Sequence, residues 1–346
     1  MDSKKEIVVA SMPIKPCWPT PAGLVTGVFV GRMLADYLNC RYVMSINELN
    51  GFKDLSYDCE GFVRGIHGMG VQVDEVWIDK VHMNAIKKNI IEMVKKGWIK
   101  VMPKRIMRCG CGRVFVEEKY ANKYCKLIDV EDEIFYCKIC GMRCDSEESE
   151  QLIFCIPENI KPIKVIPAFL SKEVECALQR LKGREQVISR DRDTGCAVTV
   201  NGKKYNIDVD FAWAQLFSAL PEGRQFLVAS NHQIYTAAMV GTIAHLMSDK
   251  DVTFVLTPYI KKDSVFEELD LLNGQYYKNV LYLLSCLKWK KKECNWSYEI
   301  WNKYIKYSTE ELTRCYKEIL EQSDDINSLL FYGFQYAQLN NRLGRI

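Results

Sequence analysis

The 346-residue sequence contains no apolar run of about eighteen residues, the length that a helix needs to cross a membrane. Its first residues, MDSKKEIVVASMP, lack the apolar core of a secretion signal. Internal repeats and low-complexity tracts are absent as well, and the net charge of +3 indicates no partner by itself. We therefore expect a soluble cytoplasmic protein that contacts no membrane and that, from its length, has about two domains.

Cysteine is abundant by contrast, with 15 residues, and without an export signal these thiols indicate a reducing compartment. One stretch, from Cys109 to Cys144, contains a Cys-Gly-Cys pair and a Cys-x-x-Cys pair, each followed by glycine. This spacing lets two sulfurs of each pair reach one tetrahedral zinc ion. The predicted zinc ligands are Cys109, Cys111, Cys137 and Cys140, with Cys125 and Cys144 as alternatives. Four thiolates leave no position for water, so the site is predicted to be structural.

Strand and helix patterns alternate through most of the chain. An opening strand at residues 6–12 is followed by a proline-rich loop and by a helical pattern at 23–39. Further strands are predicted at 41–46, 151–156, 204–208, 225–229 and 252–256, and further helices at 82–97, 169–181 and 233–248. The part from 264 to 342 is predicted to be mostly helical. This alternation favours an α/β fold in which helices cover a parallel sheet.

Several segments resemble, in the same order, those of the class I aminoacyl-tRNA synthetases, and the methionyl type is the most similar. The opening strand, proline-containing loop and helix occupy the place of that family's HIGH motif. After the cysteine pairs come three more similar segments: VISRDRDTGCAVTV at 187–200, YNIDVDFAWAQLF at 205–217 and LDLLNGQYYKNVLYLLSC at 269–286. The resemblance covers roughly residues 6–320 as an ordered series.

The resemblance implies a Rossmann-like class I synthetase core, with a parallel sheet split by a zinc-binding connective insert and followed by C-terminal helices. The two halves of the core are expected at 1–100 and 166–274, the insert at 101–165, and a stem-contact-like helical region at 275–346. It also implies a divergent, truncated paralogue that binds an adenine nucleotide, an amino acid or an aminoacyl-adenylate. Amino-acid ligase activity outside translation, ATP or Mg-ATP as cofactor, structural Zn²⁺ and tRNA as a partner follow from the same resemblance.

The family's two phosphate-binding histidines are missing from this sequence. The tetrad that matches HIGH is Val25-Thr26-Gly27-Val28, in which glycine still allows a nucleotide to approach the backbone while valine donates no hydrogen bond. The resemblance assigns nucleotide binding to Thr26, Gly27, Asn231 and His232.

The match to the family's KMSKS loop is the segment 260–264, which keeps two lysines but also carries Asp263, whose charge would repel phosphate. The resemblance therefore assigns the catalytic role to Lys261 and Lys262, with Arg190 as a further candidate cation. The implied substrate-binding residues are Asn47, Glu48 and Asp210. A carboxylate in this pocket would not favour a thioether side chain, so a more polar ligand than methionine is expected.

Two other functions are compatible with the sequence. Basic residues crowd the segments 100–113 and 288–292, the second around Trp289, and lysines beside an aromatic ring are able to hold nucleic acid. A non-catalytic module that binds tRNA or a partner protein is therefore one alternative. The other is an acyl transferase that consumes aminoacyl-tRNA without ATP, because the cyclodipeptide synthases also resemble class I synthetases and lack both motifs. A partner subunit could supply missing groups.

Overall fold

The structure is a computed structural model of the chain. It describes residues 6–18, 20, 22–49, 57–111, 114–116, 128–131, 134–137, 140–190, 195–220, 223–248, 250–260, 274–289, 291, 293–295, 302, 304 and 306–330. Within these residues no helix is sufficiently long and apolar to pass through a lipid bilayer.

The first part of the chain alternates strands and helices, as predicted at 6–12, 23–39, 41–46 and 82–97, and it contains two elements that were not predicted, a helix at 59–68 and a strand at 75–78. Its elements are β1 (Glu6–Ser11), α1 (Ala22–Leu38), β2 (Arg41–Ile46), α2 (Cys59–Gly68), β3 (Glu75–Ile78) and α3 (Met83–Lys95). The apolar run of each strand supplies the core. Asp58 caps the N-terminus of α2, because its side chain accepts a hydrogen bond from the Gly61 amide.

A second, antiparallel sheet follows α3 and contains the cysteine pairs. Its strands are β4 (Ile99–Cys109), β5 (Val114–Val116), β6 (Ile128–Glu131), β7 (Ile134–Cys137) and β8 (Arg143–Cys155). The strands lie in the order β5-β4-β8-β7-β6. The strand predicted at 151–156 is thus only the end of a 13-residue strand, whose charged first half runs alongside β4.

The chain then returns to the first sheet through a group of short elements. These are β9 (Lys164–Ile166), a 3₁₀ turn (Ala168–Leu170), α4 (Ser171–Leu181), β10 (Glu185–Val187), β11 (Ser189–Arg190), β12 (Ala197–Val200), β13 (Lys203–Ile207), α5 (Val209–Trp213) and α6 (Leu216–Ala219). Strands β11, β13 and β12 form a small antiparallel sheet, and β10 pairs with β8.

The last part contains the remaining core strands and the C-terminal helices. Its elements are β14 (Gly223–Ser230), a 3₁₀ turn (Asn231–Gln233), α7 (Ile234–Met247), β15 (Asp251–Thr257), β16 (Tyr259–Ile260), α8 (Tyr276–Cys286), β17 (Glu293–Cys294), α9 (Thr309–Glu321) and α10 (Ile326–Ser328). The region from 264 onward was expected to be mostly helical; the structure adds β17, which pairs in parallel with β16.

The central sheet has six strands in the order β3-β2-β1-β14-β15-β9, and every neighbouring pair is parallel. Side chains alternate between two cores: Val9 and Val228 face one, while Val8 and Leu227 face the other. Because both faces are covered, these strands read as continuous apolar runs. The predicted α/β fold with a parallel, Rossmann-like sheet is confirmed.

The connections leave β1 and β14 in opposite directions. Helix α1 leads from β1 to β2 on one side, whereas α7 leads from β14 to β15 on the other. Such a topological switch point opens a crevice outside the carboxyl ends of the two strands, where open α/β sheets bind ligands. The sheet therefore places the candidate site where β1 and β14 end.

The C-terminal helices are joined to α1 by a polar cluster inside an otherwise apolar interface. The hydroxyls of Tyr316 and Tyr276 lie 2.8 and 3.2 Å from Asp36 Oδ2, while Arg32 lies 2.7 Å from Asp36 Oδ1. The two tyrosine rings also contact each other edge to face. This network orients α8 and α9 on the core.

We expect Tyr316→Phe to lower the free energy of unfolding by about 1–2 kcal/mol, because a buried hydroxyl bonded to a carboxylate is removed. Urea denaturation of the full chain measures the change. Tyr277→Phe is the matched control, since the Tyr277 ring packs against both tyrosines while its hydroxyl does not contact Asp36. An equal loss in the two variants would contradict the role of the hydrogen bond.

Candidate functional site

A cavity of about 300 Å³ opens at the switch point of the central sheet. Its walls come from the segments that follow β1, β2, β14 and β15, from the start of α1 and from Trp213 at the end of α5. Most of its lining is apolar, and a few polar side chains converge on it: Lys15, Asn47, Ser230, His232 and Gln233. An apolar cleft with a few convergent polar groups is typical of a small-molecule site.

Two glycines bring the backbone of α1 close to this cavity. A Cβ atom at Gly23 would lie 2.6 Å from the Ile260 carbonyl oxygen, so only glycine permits the helix to pack against β16 there. A Cβ atom at Gly27 would meet nothing within 4 Å, because this position faces the open space of the cavity. Of the tetrad that matches HIGH, Gly27 alone belongs to the lining, since Thr26 is 1% exposed and both valines are buried.

The turn after β14 presents a histidine to the cavity. Ser230 caps it: its amide donates to Gln233 Oε1 over 3.2 Å, and its hydroxyl accepts from the His232 amide. The His232 ring is half-exposed, packs edge-on against Tyr259, and has Nε2 3.8 Å from Glu293 Oε1. Its predicted neighbour in nucleotide binding, Asn231, is buried and does not belong to the lining.

The predicted substrate-binding residues are separated by the structure. Asn47 lines the cavity and is 2% exposed, with its amide nitrogen 3.5 Å from the Tyr57 hydroxyl. Glu48, the next residue, instead directs its carboxylate to within 3.8 Å of Lys80 Nζ. Asp210 lies in the first turn of α5 and is not part of the cavity lining.

Of the predicted cations, Arg190 is the one that the structure describes, and it does not belong to the cavity lining. Arg190 forms a buried ion pair, 2.8 Å long, with Asp208, whose carboxylate also caps α5. This pair fixes β11 against α5 and occupies the guanidinium. Lys261 and Lys262 lie outside the described residues, so their catalytic role stays a prediction.

Sequence reasoning missed Asp79, which follows β3 and is fully buried. Its Oδ1 accepts hydrogen bonds from the amides of Glu48 and Leu49 at 2.7 and 3.0 Å, and its Oδ2 accepts from the Trp213 indole at 3.1 Å. One carboxylate therefore joins the loop that carries Asn47 to the opposite wall of the cavity. The available signal was an acidic residue directly after an apolar strand, at the edge where parallel sheets bind ligands.

Burial raises the pKa of Asp79 to about 6, and the hydrogen bonds from Glu48, Leu49 and Trp213 act in the opposite direction. Its ordinary pKa is 3.8. The folded chain therefore holds a proton on Asp79 between about pH 4 and 6 that the unfolded chain has already lost. This group's contribution to stability is present below that window and is lost as pH rises through it.

A second site is formed by the two cysteine pairs at the far end of the β4–β8 ladder. The sulfurs of Cys109, Cys111, Cys137 and Cys140 all lie within 4.8 Å of one another. Two of the distances are 3.3 Å, between Cys109 and Cys140, and 3.9 Å, between Cys111 and Cys137. Four thiolates around one tetrahedral ion with metal–sulfur bonds of about 2.3 Å would be about 3.8 Å apart, so this set fits a metal.

Local backbone geometry explains why these four sulfurs meet. Gly141 has φ +70°, which closes a turn in which its amide donates to the Cys137 carbonyl over 2.7 Å. Cys144, one of the two alternative ligands, is buried opposite Cys109 in the ladder but does not belong to the four-sulfur set. The other alternative, Cys125, lies outside the described residues. Burial raises the pKa of Cys109, so a metal would have to displace its proton.

Two of the basic residues considered for nucleic acid in the segment 100–113 form ion pairs in the structure. Lys104 pairs with Glu185 and Arg108 with Glu147, each at 2.5 Å. Trp289 is 7% exposed and packs in the core, so its ring does not present a stacking surface. Lys290 and Lys292 lie outside the described residues.

A parallel sheet with a cavity at its switch point, and an antiparallel insert with four clustered thiols, define a Rossmann-type core that carries a candidate metal site. No family model and no curated protein sequence matches the chain. Among solved structures, Mycobacterium tuberculosis methionyl-tRNA synthetase in complex with methionyl-adenylate is similar, with a TM-score of 0.65 and 13% identity, over 92% of this chain and 71% of that one.

The apo form of the same Mycobacterium tuberculosis enzyme has a TM-score of 0.63 and 12% identity, over 99% of this chain and 81% of that one. The chain therefore has a divergent methionyl-tRNA synthetase-like class I fold. At this level of identity the likeness concerns the fold, and it confirms the resemblance on which the sequence prediction depended.

Asp79→Asn tests the carboxylate that joins the two cavity walls. In the wild type, ionisation of Asp79 should make the free energy of unfolding fall by about 3 kcal/mol as pH rises from 4 to 7, from a shift of about two pKa units. The amide does not titrate, so this part of the slope should disappear in the variant. Glu48→Gln is the control, because that half-buried carboxylate lies beside Lys80 instead. If the free energy of unfolding depends on pH in the same way in the wild type and in Asp79→Asn, the interpretation is wrong.

Cys140→Ser should abolish high-affinity metal binding, because three thiolates and a hydroxyl replace a complete set. Metal content after dialysis, measured by inductively coupled plasma mass spectrometry, gives the result directly. Cys144→Ser should retain one metal per chain, since Cys144 lies beside the set and not in it. Loss of metal from both variants alike would show that the ligand set includes Cys144.

Proposed function

We propose that the chain binds an adenine nucleotide or an acyl-adenylate in the switch-point cavity, as a divergent class I synthetase paralogue with weakened adenylation chemistry. The observation that carries this proposal is the open face of α1 at Gly27, directed into a cavity at the carboxyl edge of a parallel sheet. A helix backbone without side chains at that edge is suited to the close approach of a nucleotide.

The polar groups around the cavity support the same ligand class. His232 and Asn47 provide hydrogen-bonding groups on opposite sides, and Lys15 adds a positive charge to the lining. Similar proteins include a synthetase solved with methionyl-adenylate. A mixed apolar and polar cavity of about 300 Å³ matches part of such a ligand, because ligand pockets start at about this volume.

Adenylation itself is expected to be slow. In-line attack of a carboxylate on ATP requires donors that stabilise charge on the leaving pyrophosphate, and loss of one such donor costs about a hundredfold or more in rate. Valines occupy the two positions of the HIGH tetrad where the family has imidazoles, and both are buried. Lys261 and Lys262 are the remaining candidates for that charge, with Mg-ATP as the reactant.

The proposed metal, cellular compartment and partners accompany the proposed nucleotide site. Zinc is the metal we propose for the four-thiol site, because tetrahedral thiolate sets of this kind select it, and its role would be to hold the insert folded. Abundant reduced cysteines fit a cytoplasmic protein. A tRNA acceptor, ligation of an amino acid outside translation and a contribution from a partner subunit stay predictions of the resemblance.

Gly27→Leu tests the nucleotide site without disturbing the core. The added side chain meets open space, so the variant should fold normally, and its helix should gain stability from the loss of glycine. The side chain would occupy the cavity, and binding of ATP, AMP and a sulfamoyl-adenylate analogue should weaken at least about tenfold by isothermal titration, or about 1.4 kcal/mol.

Gly27→Ala is the matched control, since a single methyl group leaves most of the cavity open and binding should stay within about threefold of wild type, under 1 kcal/mol. Pyrophosphate exchange with a panel of acids then reports whether bound ATP reacts. Unchanged affinity in Gly27→Leu, or no binding of any nucleotide by the wild type, would remove the proposed function.

A further inference from the structure

We propose that the acid accommodated beside the nucleotide is a carboxylic acid without an α-ammonium group, and not an α-amino acid. This inference rests on the proposed function and concerns the class of substrate that the same cavity selects. It is carried by the charge of the side chains around Asn47.

An ammonium group that leaves water for a buried site needs a carboxylate partner, because an uncompensated charge in a dry cavity is costly. At the carboxyl end of β2 the side chain that enters the cavity is Asn47, which is 2% exposed. An amide has a carbonyl oxygen that accepts hydrogen bonds, but it carries no charge. Asn47 is therefore suited to a neutral polar group and gives little compensation to a cation.

The carboxylates near Asn47 already interact with other residues of the protein. Glu48 is within 3.8 Å of Lys80, and the Asp79 carboxylate accepts hydrogen bonds from two amides and the Trp213 indole. Asp208 is paired with Arg190 in a buried contact. Among the described residues that line the cavity none is acidic.

The described lining contains a lysine and no acidic residue. Lys15 belongs to the lining, and its ammonium group lies 5.0 Å from the centre of the ring of Tyr57, the residue whose hydroxyl contacts Asn47. His232 lies after β14, with its Nε2 atom 3.8 Å from Glu293 Oε1. A cation on one wall attracts a substrate carboxylate and repels a substrate ammonium, and the low dielectric of a closed site strengthens both effects.

The test compares two non-hydrolysable acyl-adenylates that differ only in the amine. One is the sulfamoyl-adenosine ester analogue of methionine, and the other is the analogue of 4-(methylsulfanyl)butanoic acid, which has the same side chain without the ammonium. Isothermal titration of the full chain should show the amine-free compound binding at least about tenfold more tightly, or about 1.4 kcal/mol. Tighter binding of the amino compound would overturn the inference.

Asn47→Asp is the informative variant, because it adds a negative charge at almost constant shape. It should move the preference by at least about tenfold toward the amino compound, or about 1.4 kcal/mol. Glu48→Gln should leave the preference unchanged, and a large change there would identify Glu48 as an ammonium partner and overturn the inference. If Asn47→Asp does not fold, the affinities of the wild type for the two ligands still test the inference.

The outcomes separate this inference from the proposed function. Binding of AMP together with equal or tighter binding of the amino compound rejects the substrate class while the nucleotide site stands. If AMP, ATP and both acyl-adenylate analogues all fail to bind, the proposed nucleotide site is rejected, and the inference with it. In the pyrophosphate exchange assay, a panel of α-amino acids and of the matching carboxylic acids without the amine should give turnover with the amine-free acids alone.

Discussion

The parallel pairing of β1 with β14 is the contact on which the rest of the structure depends. It joins Glu6 to Gly223 across more than half of the chain. The chain between these residues adds β2 and β3 on one side of the pair and β9 at the opposite edge of the sheet, beside β15. A Cβ atom at Gly223 would lie 2.1 Å from the Glu6 carbonyl oxygen, so glycine is required where the two strands meet. The cavity exists because these two strands end together while their helices depart in opposite directions.

Sequence patterns predicted β1, β2, β14 and β15 of the central sheet, because these strands are buried and stand out as short apolar runs. They missed the two outer strands, β3 and β9, which are only four and three residues long. They failed for the first half of β8, where DSEESE is mostly exposed and no apolar alternation marks a strand. The role of Asp79 could not be predicted either, since its contact with Trp213 spans 134 residues of sequence. Local sequence patterns contain no information about a contact between residues so far apart in the chain. The two side chains come together only when the sheet has formed.

In the candidate site, the residues that the family motif selects are not all residues that line the cavity. The HIGH match identified Gly27, which does face the cavity, but it also selected Thr26, whose side chain the helix turns into the interior. Residues 23, 24 and 27 share one face of a 3.6-residue period, and residue 26 lies about 100° away from 27. In the same way Asn47 enters the cavity while its neighbour Glu48 does not. A family motif finds the segment, and the helix or strand period then decides which of its members reach the ligand.

The β4–β8 ladder separates the two sites by a length that follows from strand geometry. Its register runs from Ile99 opposite Phe154, in the core, to Cys109 opposite Cys144, beside the thiols. Ten steps of about 3.4 Å place the sulfur cluster roughly 34 Å along the ribbon from that core contact. Over such a distance, through a ribbon whose outer pairs are charged and solvated, occupancy at one end transmits little energy to the other. The tip is thus free to diverge, or to acquire its own contacts, without altering the chemistry at the sheet.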